Sequence, residues 1–260
     1  MPYTYWYAII AAPPTAGASG RVPAVWGDGL HGSALRLAAA GELAAVVSDW
    51  TPAAVNRSFV EVDADLVWQH EHVMERIMYD CTVLPVRFGT LLANDERVRS
   101  ALVERQDVFK ADLARVAGCI ELGLRILWQP PADGAQMPAN GAQASSPAPA
   151  VLHRQARAPA LHNPGAQYLL RRAAEEQTQQ AVRREAESLI GAVCCGLDAL
   201  ALEVRRNVLP TDRLLLSANY LIPRVQMGSF ITTVEQLRAQ HRQLAFMWSG
   251  PWPPYHFMSA

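Results

Sequence analysis

Between Gln129 and Gly165 the chain offers a folded core almost nothing to work with. The stretch is Pro, Ala, Gly, Gln and Ser, and its only formal charges are Asp133, Arg154 and Arg157. With so little apolar surface it cannot offset the entropy of being ordered, so it reads as a flexible linker or a long surface insertion. It holds no basic PxxP cluster of the kind a partner domain would grip. The hydrophobic patterns on either side each close on themselves. The expectation is an N-terminal α+β domain over 1–128, a Pro/Ala-rich linker over 129–165 and a C-terminal α+β domain over 166–260 that carries an aromatic, Pro-rich tail. Each half is long enough to bury a core of its own.

In the first half, Tyr3–Ala11 is β-prone and too apolar to leave both faces wet. Leu35–Ala40 and Leu43–Ser48 flank Gly41-Glu42, a hairpin turn. Val67, His70, Met74, Ile77 and Met78 recur at spacings of three and four, which places them on one face of a helix capped by Asp63 or Asp65. Glu71 and Glu75 point the other way. Val83, Leu84, Val86 and Phe88 then form a short strand. Pro85 has no N–H to give, so the strand starts there, bulges there or lies at a sheet edge. Arg87, the one charge in that run, is expected to meet a carboxylate such as Glu75. Asn94 caps an acidic helix start with Val98, Leu102 and Val103 on its buried side, and Val108, Leu113 and Val116 continue the pattern to Gly118. Cys119–Trp128 alternates as a strand, with Glu121 and Arg125 on the side opposite Ile120, Leu122, Leu124 and Ile126.

In the second half a helix is expected from about Gln167 to Asn207. Its first part is solvated and supported by pairs such as Arg171–Glu175 and Arg172–Glu176, worth about 0.2–0.5 kcal/mol each. Its second part carries an apolar stripe of Leu189, Ile190, Val193, Leu197, Leu200 and Val204 that must pack on a sheet. A strand over Leu214–Ile222, a helix over Ile231–His241 and a strand over Leu244–Trp248 complete the pattern. Strands adjacent in hairpins and interleaved with a few helices argue for an α+β fold, ferredoxin-like in at least one domain, and not for a doubly wound sheet.

Composition excludes several functions. The net charge is -1, so there is no broad basic field to attract nucleic acid. No uncharged apolar run reaches the roughly 20 residues a membrane-spanning helix needs, and Pro13-Pro14 interrupts the first apolar stretch, so no secretion signal is read there. The expected location is cytoplasmic. Cys81, Cys119, Cys194 and Cys195 show neither a CxxC pair nor metal spacing, and are expected to be buried reduced thiols. His70 and His72 face about 200° apart on a helix and cannot share a metal. His70 among apolar neighbours reads as a core histidine, and His256 as a solvated one. There is no Walker loop, GxGxxG or GxSxG, and no cysteine has a partner base at a recognisable spacing. The reading is no enzyme and no cofactor.

The last stretch is unusual. Trp248, Trp252, Tyr255 and Phe257 crowd beside Pro251, Pro253 and Pro254. Three missing donors keep this segment out of the middle of a sheet. It forms a stiff strap whose rings fill grooves on the protein's own surface, an aromatic contact patch for a partner, or both.

Two segments carry a resemblance. The helix followed by TVLPVRFGT, and the closing SGPWPPYHF at Ser249–Phe257, are similar to the central and C-terminal motifs of the gas vesicle protein F/L family. The opening aromatic strand and Glu42–Trp50 fit that family's start. The positions that match are Leu84, Pro85, Arg87, Phe88 and Gly89 in the centre, and Gly250, Pro251, Trp252, Pro253, Pro254, Tyr255 and Phe257 in the tail. The resemblance implies a non-enzymatic accessory or minor structural protein of gas vesicle assembly, associated with the vesicles. Its implied partners are the hydrophobic shell protein and other gas vesicle proteins, with neither nucleic acid nor membrane among them. A small-molecule-binding α+β regulatory module is the alternative, and would show a deep pocket with convergent polar groups.

Overall fold

The computed structural model describes residues 3–13, 19–50, 64–128, 164–208 and 214–259. The chain is α+β and forms two units that are interleaved in sequence. One comprises Met1–Leu122, Leu221–Val225 and Ser249–Ala260, and the other Gly123–Tyr220 and Gln226–Trp248. Residues 129–163 of the expected linker, together with Asp63, lie outside the described residues.

The first unit is built on β1 (Tyr3–Ala11), whose residues Thr4 to Ile10 are all buried. Around it run β2 (Ser19–Arg21), β3 (Arg36–Ala40), β4 (Leu43–Trp50), β5 (Leu84–Pro85) and β6 (Leu91–Leu92), in the order β2-β3-β4-β1-β5 with β6 also paired to β1. Gly41, at φ 62°, turns β3 into β4 as the hairpin reading requires. The register of β1 on β4 slips between Trp6 and Ala8. Trp6 and Ile9, three apart, belong on opposite faces of a regular strand, and the slip brings both into one core.

That core lies under α2 (Asp95–Glu104) and α3 (Gln106–Arg115), which contribute Val98, Leu102, Phe109 and Leu113. Asn94 caps α2 as expected, its Oδ1 accepting from Arg97 N–H at 3.0 Å. Val103 is exposed because it lies about 100° round the helix from Leu102 and about 140° from Val98, off the buried stripe. Asp95 accepts from Arg36 at 2.7 and 3.0 Å and from Thr4 at 2.8 Å, which ties the start of α2 to β1 and β3. The Arg36 guanidinium is the main reason the Asp95 carboxyl stays below its ordinary range. Tyr5 and Tyr7 sit instead with α1 (Ala64–Asp80), which buries His70, Val73, Met74, Ile77 and Met78.

The chain continues with β7 (Cys119–Trp128), α4 (Pro164–Asp198), β8 (Glu203–Val208), β9 (Leu214–Pro223), α5 (Met227–Gln240) and β10 (Leu244–Trp252), of which the second unit takes β7 from Gly123, α4, β8, β9 to Tyr220, α5 and β10 to Trp248. Their sheet runs in the order β10-β7-β9-β8. α4 stops at Asp198, nine residues before the expected end at Asn207. The reason is that Val204 and Val208 act as strand residues in β8, which β9 provides with backbone partners. The solvated half of α4 carries Arg172–Glu176 at 3.1 Å and Arg183–Glu187 at 2.9 Å. The side chain of Glu175, from the other expected pair, lies outside the described residues. The buried half places Ile190, Val193, Cys194 and Leu197 beneath the helix. α5 adds Phe230, edge-on to Tyr220 at 5.2 Å, and Val234.

Candidate functional site

The two motif segments meet in the first unit. Leu84 and Pro85 pair with Ile9 and Ala8 at the edge of the sheet, where a residue without an N–H does no harm. Val86 N–H then donates to Tyr7 C=O at 2.9 Å. Gly89, at φ 83°, turns the chain so that its N–H donates to the Tyr5 hydroxyl at 3.0 Å.

From Tyr5 a line of hydrogen bonds leads to the tail. Tyr5 O–H lies 3.0 Å from His70 Nδ1, His70 Nε2 lies 3.3 Å from the Tyr255 hydroxyl, and Tyr255 O–H donates to Glu71 Oε1 at 3.2 Å. One assignment of protons satisfies every link. Tyr255 has a single hydrogen and gives it to Glu71, so it accepts from His70 Nε2–H. His70 Nδ1 is then the acceptor for Tyr5 O–H, and Tyr5 oxygen accepts from Gly89. His70 is 0% exposed, stacked on Tyr7 at 5.6 Å and edge-on to Phe88 at 5.6 Å. Burial pushes its pKa down to about 4, in keeping with a neutral ring whose two nitrogens are both in use. Burial raises the Tyr5 and Tyr255 hydroxyls well above the usual phenol range, and also raises Glu71. Glu71, expected on the outer face of α1, is half-buried because it receives Tyr255.

The tail is anchored by two carboxylates that are each 2% exposed. Glu121 accepts from His256 N–H at 2.9 Å and from its Nδ1 at 2.5 Å, while the imidazole itself stays exposed, as the solvated reading expects. Asp112 accepts from Ser259 N–H at 2.9 Å, Ser259 O–H at 2.8 Å and Arg115 at 2.7 Å. Burial works against the Asp112 charge, yet Arg115 and Ser259 hold its pKa below the ordinary value. Arg115 also donates to Phe257 C=O. Phe257 itself is fully buried in the core that contains Leu84, Val98 and Leu113. Pro253 and Pro254 are buried, Trp252 Nε1–H donates to Ser249 at 3.2 Å, and the Gly250-Pro251 bond is cis. A side chain on Gly250, at φ 115°, would put its Cβ 2.8 Å from the Glu121 carbonyl. Ser249–Ala260 falls in the first unit, as do Asp112 and Glu121.

The matched positions do not all converge. Leu84 and Phe257 share a core, and Gly89 reaches Tyr255 through Tyr5 and His70. Arg87 stands apart: it is exposed, has no side-chain partner among the described residues, and its expected acceptor Glu75 lies 3.8 Å from His72 instead. The cysteines depart from the expected burial too. Only Cys194 is buried, while Cys81 and Cys119 are partly exposed and Cys195 is exposed.

Sequence reasoning missed the outer face of α1. Trp68, His72, Glu75 and Tyr79 recur at four, three and four residues, all exposed. Trp68 is 72% and Tyr79 83% exposed, although each is large enough to serve as a buried anchor. The signal was present as a second stripe, complementary to the buried one. Among the described residues, no helix is long and apolar enough to cross a membrane.

Residues 3–259 match the family model described as gas vesicle synthesis protein GvpL/GvpF. Gas vesicle protein F2 of Halobacterium salinarum is 24% identical over 219 residues, covering 83% of this chain and 76% of that one. Gas vesicle protein L of a Streptomyces species is 27% identical over 244 residues, covering 88% and 85%. The crystal structure of the gas vesicle protein GvpF from Anabaena sp. PCC7120 has a TM-score of 0.71 at 18% identity, covering 100% of this chain and 97% of that one. GvpF from Microcystis aeruginosa gives 0.69 at 20%, with 99% of each covered. At these identities the likeness to solved structures concerns the fold.

Proposed function

Because the chain belongs to the gas vesicle synthesis protein GvpL/GvpF family, we propose that it is a non-enzymatic accessory or minor structural protein of gas vesicle assembly that binds the hydrophobic shell protein directly. Its place of action on this reading is the cytoplasm, in association with the vesicles and with other gas vesicle proteins. The observation that carries the proposal is the exposed pair Trp68 and Tyr79 on one face of α1. A protein that handles apolar subunits before they assemble needs apolar surface that its own fold leaves uncovered. Trp and Tyr supply that surface at small entropic cost and dominate binding hot spots. The tail rings that seemed the natural candidates are weaker ones, since Tyr255 and Phe257 are occupied within the protein.

The test is a pull-down of the shell protein at low and raised salt. Apolar binding survives the salt, because little of it is charge pairing. Substituting Trp68→Ala and Tyr79→Ala together should weaken capture by tenfold or more, on the order of 2 kcal/mol, with an unchanged melting midpoint. No capture at either salt concentration overturns shell-protein binding. Capture that is indifferent to the double substitution moves the contact off α1.

A further inference from the structure

The second unit has an open cavity of about 610 Å³ over one face of its sheet, lined mainly by Arg125, Leu127, Arg205, Asn207, Ser217 and Asn219. These residues come from β7, β8 and β9, neighbours in the sheet. They occupy alternate positions on each strand, and side chains two apart share a face. Leu122, Leu124, Ile126, Leu216, Ala218 and Tyr220, at the intervening positions, are buried. The same three strands therefore build an apolar face and, opposite it, a polar one with arginines.

We propose that this polar face is a docking groove for an extended acidic segment of a partner protein, whose carboxylates are received by Arg125 and Arg205. Charge complementarity selects the occupant. Arg125 is exposed and has no side-chain partner among the described residues. Arg205 lies 3.5 Å from Glu203, both half-exposed, and carries a planar fork suited to a bidentate carboxylate. Arg206 is already paired with Asp198 and supplies background charge only. Asn207, Ser217 and Asn219 add neutral donors and acceptors suited to peptide amides. A single-stranded nucleic acid would want rings to stack on, and no aromatic side chain lines the groove among the described residues. The site is distinct from the outer face of α1 in residues and in chemistry: one binds through apolar contact, the other through ion pairs. Neither depends on the other being right.

The experiment uses the full chain and a fluorescent hexaglutamate peptide, followed by anisotropy at low and raised salt. Hexaglutamine, oligothymidylate and inorganic phosphate serve as comparison probes. The expected result is saturable, salt-weakened binding of hexaglutamate. Arg125→Gln should lower affinity by about tenfold or more, Arg205→Gln should lower it too, and the surface change Arg97→Gln in the first unit should leave it alone. The proposal is overturned if hexaglutamate fails to bind at low salt, or if Arg125→Gln binds it as well as the unaltered chain. It is overturned equally if oligothymidylate or phosphate competes at lower concentration than hexaglutamate, which would give the arginines to a nucleic acid or a free anion.

Discussion

The tail and the outer face of α1 are both aromatic, and they treat their rings in opposite ways. Phe257 is wholly buried and Tyr255 is bonded to His70 and Glu71, whereas Trp68 and Tyr79 stand 72% and 83% exposed on one stripe of a helix. Aromatic content alone therefore does not mark a docking surface. What distinguishes the tail is its set of buried acceptors: Glu121 and Asp112 take main-chain N–H groups of His256 and Ser259, and in doing so fix where the rings go. Among the described residues, the outer face of α1 has no such clamps, and Trp68 and Tyr79 are exposed.

The sharpest way to break this comparison is Phe257→Ala. Removing a fully buried ring from a core that includes Val98, Leu102 and Leu113 should destabilise the protein by about 3–5 kcal/mol. Trp68→Ala and Tyr79→Ala, as surface changes, should each stay within about 0.5 kcal/mol. Denaturant midpoints at constant slope check both. A small effect of Phe257→Ala would mean that the tail is a loose strap and that its rings return to the list of partner contacts.

The next effect is on pH. In the folded state His70 is neutral, with a pKa lowered by burial to about 4 from 6.5. The unfolded chain therefore takes up its proton first as pH falls. Stability is full above about 6.5, declines through the window down to about 4, and has by then lost on the order of 3 kcal/mol to this group. Asp112, held below its ordinary value, acts lower in the scale: its contribution is present above about 4 and fades as pH falls through its folded pKa. Unfolding measured from pH 7 to 4.5 should show the histidine slope, and His70→Phe should flatten it. An unchanged slope in that variant would place the proton uptake elsewhere.

Much of this architecture could be read from residues, and the failures share a cause. The strand at Tyr3–Ala11, the turn at Gly41, the cap at Asn94 and the apolar stripe of α1 are local patterns, each fixed by neighbours within a few residues. Glu121 was legible only as a polar position in an alternating strand. Its burial depends on His256, 135 residues away in the chain. The end of α4 was misplaced for a related reason. Val204 fits a helical stripe as well as a strand, and the choice is made by pairing of β8 with β9. The motif positions were found by resemblance, but that Gly89 would be joined to Tyr255 through Tyr5 and His70 was not in either motif.

That joint can be tested by a smaller change. Tyr255→Phe keeps the ring and removes the oxygen between His70 Nε2 and Glu71, leaving a buried N–H without its acceptor. The expected loss is about 1–3 kcal/mol, with shell-protein capture retained. If stability holds and capture is lost, the Tyr255 hydroxyl belongs to the partner contact and the contrast between tail and helix collapses.

The smallest effect is expected at Arg87, where sequence and structure disagree most plainly. Flanked by Val86 and Phe88 it resembles a clamped arginine, and the loss of a clamp would cost about 1–3 kcal/mol. In the structure its side chain is exposed, and Phe88, not Arg87, turns inward against His70. What its residue contributes to the fold is its carbonyl, which accepts from Thr90 O–H at 2.7 Å and from Thr90 N–H at 3.2 Å, bonds that any side chain permits. Arg87→Ala should therefore shift stability by no more than about 0.5 kcal/mol. The same variant then reads out binding without a folding artefact. A loss of capture that raised salt mimics in the unaltered protein would give Arg87 an ionic role beside the apolar one of α1, whereas unchanged capture would leave the contact to Trp68 and Tyr79.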